Sequence, residues 1–216
     1  PNIFLTPLET KEAILSSRIE GTVTTLDEVL KYEVDLQPEN AAKKNDIIEV
    51  LNYRKAMRHA NSWLQQGFPF NITMVNAIQK ELMQGVRGKD KMPGELRKEQ
   101  VWIGPRNCPK EEATFVPPEP LGIKEYLGEL IDFIHQDDHE VLIQTAIFHA
   151  QFEIIHPFMD GNGRTGRILI PLFLWYKNRI KSPMFYISEY FDRYRDGYIS
   201  NLLSISRDNN WEDWIN

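Results

Sequence analysis

The chain has 216 residues, 42% of them hydrophobic, a net charge of −6 and one cysteine. That is enough apolar material for one substantial core, and the acidic balance argues against a broad nucleic-acid footprint, which needs a basic face. The lone Cys108 excludes an internal disulfide or a thiolate metal cluster, and no apolar run approaches the roughly 20 residues that span a bilayer, so we expect a cytoplasmic protein with no membrane partner.

Apolar residues recur at three- and four-residue spacing along most of the chain, which predicts a mainly α fold. The pattern places helices over 8–19, 25–35, 41–66, 71–84, 121–136, 139–155, 163–178, 188–206 and 210–216. The stretch from Gly85 to Pro120 is different. It is rich in Gly and Pro, yet holds two β-prone runs, "EQVWIG" (99–104) and "ATFVPP" (113–118), separated by the turn-like "PRNCPKEE". We read it as an irregular β-hairpin. The N-terminus lacks the order of a signal peptide, and because the chain opens at Pro1 and stops just after "WEDWIN", we expect a piece of a longer protein.

The densest chemistry lies in "HPFMDGNGRTGR" (156–167). Its glycines match G-x-G-x-x-G, but the preceding "VLIQTAIFHAQFEII" is helical rather than a strand and no βαβ rhythm surrounds it, so a dinucleotide fold is rejected. A helix starting near Gly163 with Arg164 and Arg167 in its first turn, after a glycine-rich loop, is instead a phosphate site: amides without partners favour an anion and guanidiniums add forked bonds. Asp160 is suited to holding Mg²⁺ beside phosphate oxygens, and His156 to taking a proton at neutral pH. Two plainer readings compete. In one, the loop merely caps a helix and Asp160 pairs with Arg164. In the other, His149, Glu153 and His156, at i, i+4 and i+7, bind a metal, although Pro157 ends that helix and Phe148 and Phe152 need the same sector for burial. His149 fits better as a buried, hydrogen-bonded histidine.

The stretch also matches every fixed position of H-P-F-x-[DE]-G-N-G-R-x-x-R and so resembles the signature of the Fic (filamentation induced by cAMP) domain family, a likeness covering about residues 45–216. The resemblance implies a helical core with a β-hairpin flap and a protein adenylyltransferase that moves AMP from ATP to a Ser, Thr or Tyr hydroxyl of a target protein or of the chain itself. His156 would be the base, Asp160 would hold Mg²⁺, and Phe158 would anchor the loop. Asn162 with the Gly161 and Gly163 amides would line the anion hole, with Arg164 and Arg167 on the phosphates. The 99–118 flap would pair with an extended target segment through Val101, Trp102 and Ile103. Tyr198 would flank the adenine, although Gly197 replaces its usual aromatic neighbour, and core packing is an equal reading of the Tyr190, Tyr194 and Tyr198 stripe.

Upstream, "SSRIEG" (16–21) fits [ST]-x-x-x-E-[GN] and resembles the inhibitory helix of one Fic subgroup. Ser16 would shape that helix, and Glu20 would pair with Arg167 and take the fork that the ATP γ-phosphate needs. We therefore expect an inhibitory N-terminal segment over 1–40 and a Fic domain over 41–216. The alternatives are removal of AMP by water that Glu20 positions, transfer from another nucleotide, and a non-catalytic regulatory module.

Overall fold

The computed structural model describes residues 6–86, 88, 90–105, 107–136, 139–181 and 186–216. Among them the chain forms α1 (Thr6–Ile19), α2 (Leu26–Glu33), α3 (Ala41–Gln65), α4 (Ile72–Leu82), α5 (Ile123–His135), α6 (Val141–Ile155), α7 (Asn162–Tyr176), α8 (Ser188–Arg193), α9 (Arg195–Asp208) and α10 (Glu212–Ile215). The fold is mainly α, as the periodicity predicts. No helix among the described residues is long and apolar enough to cross a membrane.

Four helices begin on a side chain that accepts first-turn amides. Thr25 and Glu28 form a reciprocal capping box on α2, Asn40 accepts from Lys43 N, Asn71 from Met74 N, and Glu140 from Leu142 N and Ile143 N. Helix α7 is the exception that bears on function: Gly161 stands at its N-cap with φ 78° and no side chain caps it. Pro171 lies inside α7 without ending it.

Helix α3 packs along α1 and α4, and α6 runs against α5 and α7. Their apolar faces meet in one buried cluster that includes Tyr53, Phe70, Phe148, Phe152, Phe158 and Phe173, with Ala13 and Ile14 of α1 and Val29 of α2 in the same cluster. The N-terminal helices are thus part of the core. A second cluster joins Ile19 to Ile170, Leu174, Phe191 and Tyr198.

Two sequence expectations need refinement. The helix predicted over 188–206 is two helices, α8 and α9, broken at Tyr194 (φ −112°, ψ 36°), because α8 packs on α1 while α9 packs on α6. The predicted hairpin is reduced to one antiparallel bridge, Ile103 to Phe115. Ile103 N donates to Phe115 O at 2.8 Å, and Thr114 N and Phe115 N donate back to Ile103 O. Pro105, Pro117 and Pro118 flank the pair and have no N–H to extend a ladder.

Phe148 is fully buried, edge-on to Phe70 at 6.1 Å and 5.6 Å from Phe173 between ring centroids. Phe148→Ala should lower unfolding free energy by about 3–5 kcal/mol, read as a reduced urea midpoint at an unchanged m-value.

Candidate active site

The site is built where α6 ends and α7 begins. Helix α6 stops at Ile155, and His156 caps it in the left-handed region (φ 49°, ψ 61°), a conformation sparsely used by non-glycine residues. The turn throws the imidazole into a cavity of about 220 Å³ lined by Glu20, Phe115, Glu153, Gly163, Arg167 and Tyr198 among others. His156 Nδ1 lies 3.3 Å from the Glu153 carbonyl, which can only accept. Nδ1 therefore carries the proton and Nε2 keeps its lone pair. Burial, with help from the Arg97 charge, lowers the His156 pKa to about 4 against the opposing pull of the Glu153 carbonyl, Glu20 and Asp160, so the ring is neutral at neutral pH.

The loop between the helices is fixed from inside. Phe158 is fully buried, and Asn162 clasps it with both ends of its amide: Phe158 N donates to Oδ1 at 2.9 Å and Nδ2 donates to Phe158 O at 2.8 Å. That leaves the backbone amide of Asn162, not its side chain, for an anion. Asp160 Oδ1 accepts from Gly161 N at 2.7 Å, and its Oδ2 lies 3.4 Å from Lys91 Nζ beside a second cavity of about 200 Å³ lined by Glu20, Glu49, Asp160, Gly161 and Arg164. Glu20 borders both cavities.

Both arginines are buried and point at this boundary. Arg167 is 1% exposed, and its Nε and Nη2 meet α1 or its end: Nε reaches Ser16 Oγ at 2.8 Å, while Nη2 reaches Ser16 O at 2.9 Å and Glu20 Oε1 at 2.6 Å. Glu20 Oε1 lies so close over Gly163 that a Cβ there would collide with it. A carboxylate thus sits at the uncapped start of α7. Burial works to raise the Glu20 pKa, but the guanidiniums of Arg167 and Arg164 prevail and hold it below its ordinary value. Arg164 donates Nη1 to Glu49 Oε2 at 3.2 Å, and its Nε is buried without a partner. Glu49 also accepts from Thr22 Oγ1 at 2.7 Å, so the segment after Glu20 is tied to the second arginine as well.

Sequence comparison places this geometry. A sequence model of the Fic/DOC family matches residues 69–174, and one of the Fic/DOC family N-terminal region matches residues 1–62. The chain belongs to the Fic/DOC family. A probable protein adenylyltransferase of Aquifex aeolicus is 28% identical over 92% of the Fic chain and 55% of its own length. A uridine 5'-monophosphate transferase of Xanthomonas campestris is 26% identical over 54% of the Fic chain and 23% of its own. The chain therefore spans about half the length of the first of these relatives and less of the second. A Fic family protein from Desulfovibrio desulfuricans shares the fold, with a TM-score of 0.79 and 20% identity over the whole chain and 62% of that structure.

Tyr198 of the Fic chain reaches the main cavity but is mostly packed. Its ring lies 4.4 Å from Phe191, and its hydroxyl is 2.9 Å from His149 Nε2. His149 is buried, as a hydrogen-bonded histidine should be. Tyr190 and Tyr194 are exposed and pair with each other at 4.7 Å, away from the main cavity. On the flap, Ile103 borders that cavity, while Trp102 bonds Cys108 O through Nε1 at 2.9 Å and is 42% exposed. Val101 stands one residue before it, partly buried.

Three neighbours of the site escape sequence reading, Glu49, Thr22 and Arg97, and Glu153 is read from the sequence only as an alternative metal ligand. Glu49 lies 115 positions from Arg164, and nothing local marks it. The Glu153 carboxyl packs over Gly166, whose hydrogen leaves space that a Cβ would take from it. Burial raises the Glu153 pKa to about 8, partly offset by Arg167 and reinforced by Glu20.

Because Glu20 is depressed in the folded state, its pairing with Arg167 contributes stability fully above its ordinary value of 4.5 and loses it as pH falls further. The difference in urea midpoint between the parent and Glu20→Gln should therefore be constant above pH 4.5 and shrink below it.

Proposed function

We propose that the chain is a Mg²⁺-dependent protein adenylyltransferase that moves AMP from ATP to a Ser, Thr or Tyr hydroxyl of a target protein, and that Glu20 holds it inactive. The observation that carries the reading is the buried Arg167, whose fork is held by Ser16 and Glu20 at the uncapped start of α7, beside a neutral His156. The name of the Aquifex relative supports the same activity.

In this mechanism His156 Nε2 takes the proton of the acceptor hydroxyl as its oxygen bonds the α-phosphorus, and the bond from that phosphorus to the β-bridging oxygen breaks to release pyrophosphate. Arg164, Arg167 and the Asn162, Gly163 and Arg164 amides oppose the charge on the phosphates. Asp160, with an accessible Oδ2 next to that anion site, fits a Mg²⁺ that completes its shell from phosphate and water. Such an ion supplies charge neutralisation on the phosphates. The 99–118 flap, with Val101, Trp102 and Ile103, would align the acceptor segment by main-chain bonds. Residues 1–40 would then serve as the inhibitory segment and 41–216 as the transferase, acting in the cytoplasm.

Inhibition follows from charge exchange. A γ-phosphate on Arg167 must displace the Glu20 carboxylate, since one guanidinium edge cannot serve two anions and like charges repel. A second reading, transfer from another nucleotide, draws on the cavity lining, where Ile154, Ile199, Leu202 and Leu203 stand beside Thr114, Arg195 and Ser206 and no single side chain marks one base.

The test is label transfer from α-labelled ATP with Mg²⁺ to the chain and to a cell lysate. Glu20→Gly should raise labelling, and His156→Ala in that background should lower it by about 10²–10⁴-fold, the contribution of a general base. Labelling unaffected by Glu20→Gly would overturn the inhibitory role. In the Glu20→Gly protein the acid limb of the rate profile should lie well below the ordinary 6.5, because burial lowers the His156 pKa and the Glu20 charge that opposes this is gone.

A further inference from the structure

The most heavily bonded side chain beside His156 is not in the signature at all. Arg97 precedes the flap, is 2% exposed, and ranks among the largest fully buried side chains. Among the described residues no carboxylate hydrogen-bonds its guanidinium. Its donors go to carbonyls instead: Nε to His156 O at 2.8 Å, Nη1 to Glu99 O at 3.2 Å, and Nη2 to Pro118 O at 2.5 Å and Ile155 O at 3.4 Å. Its backbone N–H donates to Pro157 O at 2.9 Å.

Those carbonyls belong to two groups that have no other reason to move together. Ile155, His156 and Pro157 form the left-handed turn that aims the imidazole, a conformation costing about 1–3 kcal/mol unless its surroundings enforce it. Glu99 and Pro118 are the two ends of the flap. With a single backbone bridge at Ile103 and Phe115, the flap has no ladder to fix its base. Side chains replace one: Gln100 Nε2 donates to Pro117 O at 2.9 Å, and Arg207 reaches Thr114 O from α9 at 2.7 Å. Among the described residues Arg97 alone bonds both flap ends and the histidine turn.

We propose that Arg97 is a positioning residue: its buried guanidinium locks the His156 turn and both ends of the 99–118 flap into one unit, fixing the distance between a segment docked on the flap and the imidazole. The proposal rests on the transferase reading for its purpose, but not for its physical content. A guanidinium is needed because only its planar fork can reach four carbonyls on different sides. Arg97 also contributes the charge that helps keep His156 neutral, opposed by Glu20 and Asp160.

Arg97→Gln and Arg97→Lys, each in the Glu20→Gly background, separate these effects. Amide exchange at Ile103 and Phe115 should quicken about tenfold in both, the scale of losing one hydrogen bond from a charged group. The His156 titration, followed by NMR of the imidazole, should move up from that of the Glu20→Gly parent in Arg97→Gln and stay near it in Arg97→Lys, which keeps the charge. ATP affinity by calorimetry should be unchanged in Arg97→Lys while self-labelling from α-labelled ATP slows about tenfold, since positioning acts on transfer rather than on nucleotide binding. A folded Arg97→Gln with parental flap exchange and parental His156 titration would overturn the proposal. If Arg97→Gln does not fold, Arg97→Lys decides, and parental flap exchange there overturns it equally. Absence of self-labelling in the Glu20→Gly parent would count against the transferase reading alone, because exchange and titration need no activity.

Discussion

Arg167 is a full positive charge at 1% exposure, and the arrangement around it follows from that. A buried guanidinium stripped of its partners costs several kcal/mol, so it must always be matched by oxygen atoms of the right number and sign. Here Ser16 supplies a hydroxyl and a carbonyl and Glu20 supplies the charge. The same requirement explains Gly163, whose missing side chain lets the carboxylate approach, and Glu153, which stays protonated near neutrality because burial disfavours a second anion where Glu20 already stands. An anionic ligand entering this site therefore works by exchange: it must offer Arg167 at least what Glu20 offers.

The helix that carries Glu20 is held as an integral part of the molecule. Ala13 and Ile14 contribute to the main core, and Glu12, buried beneath α8, accepts from Ser188 N at 3.2 Å and Ser188 Oγ at 2.6 Å. Past the helix end, Thr22 bonds Glu49, which in turn holds Arg164. The chain turns just past Glu20 at Gly21 (φ 90°), a conformation that glycine adopts without strain.

The flap shows the opposite economy of structure. It has almost no backbone pairing, and its shape depends on donors from outside it. The shape of the flap thus rests on a few side chains, of which Arg97, the buried one, also touches the histidine turn.

Much of the helical architecture was legible because burial of one face imposes a 3.6-residue period, and eight of the nine predicted segments correspond to single helices. The ninth, 188–206, hid its break at Tyr194 because periodicity reports burial and not the change of direction that two different packing partners impose. The two β-prone runs marked the flap, while prolines 105, 117 and 118, visible in the sequence, limited it to one bridge. Within the site, the residues of 156–167 and the Ser16–Glu20 pattern could be found because their chemistry is concentrated in short stretches. Glu49, Thr22 and Arg97 could not, since each is unremarkable among its neighbours and gains meaning only from a partner tens of residues away. The sequence by itself determined the helices, the glycine-rich loop with its two arginines, and a carboxylate at the end of α1. Only the tertiary structure decided which charges face each other and which carbonyls one buried guanidinium joins, because those distances are set by how the helices pack and not by any local pattern.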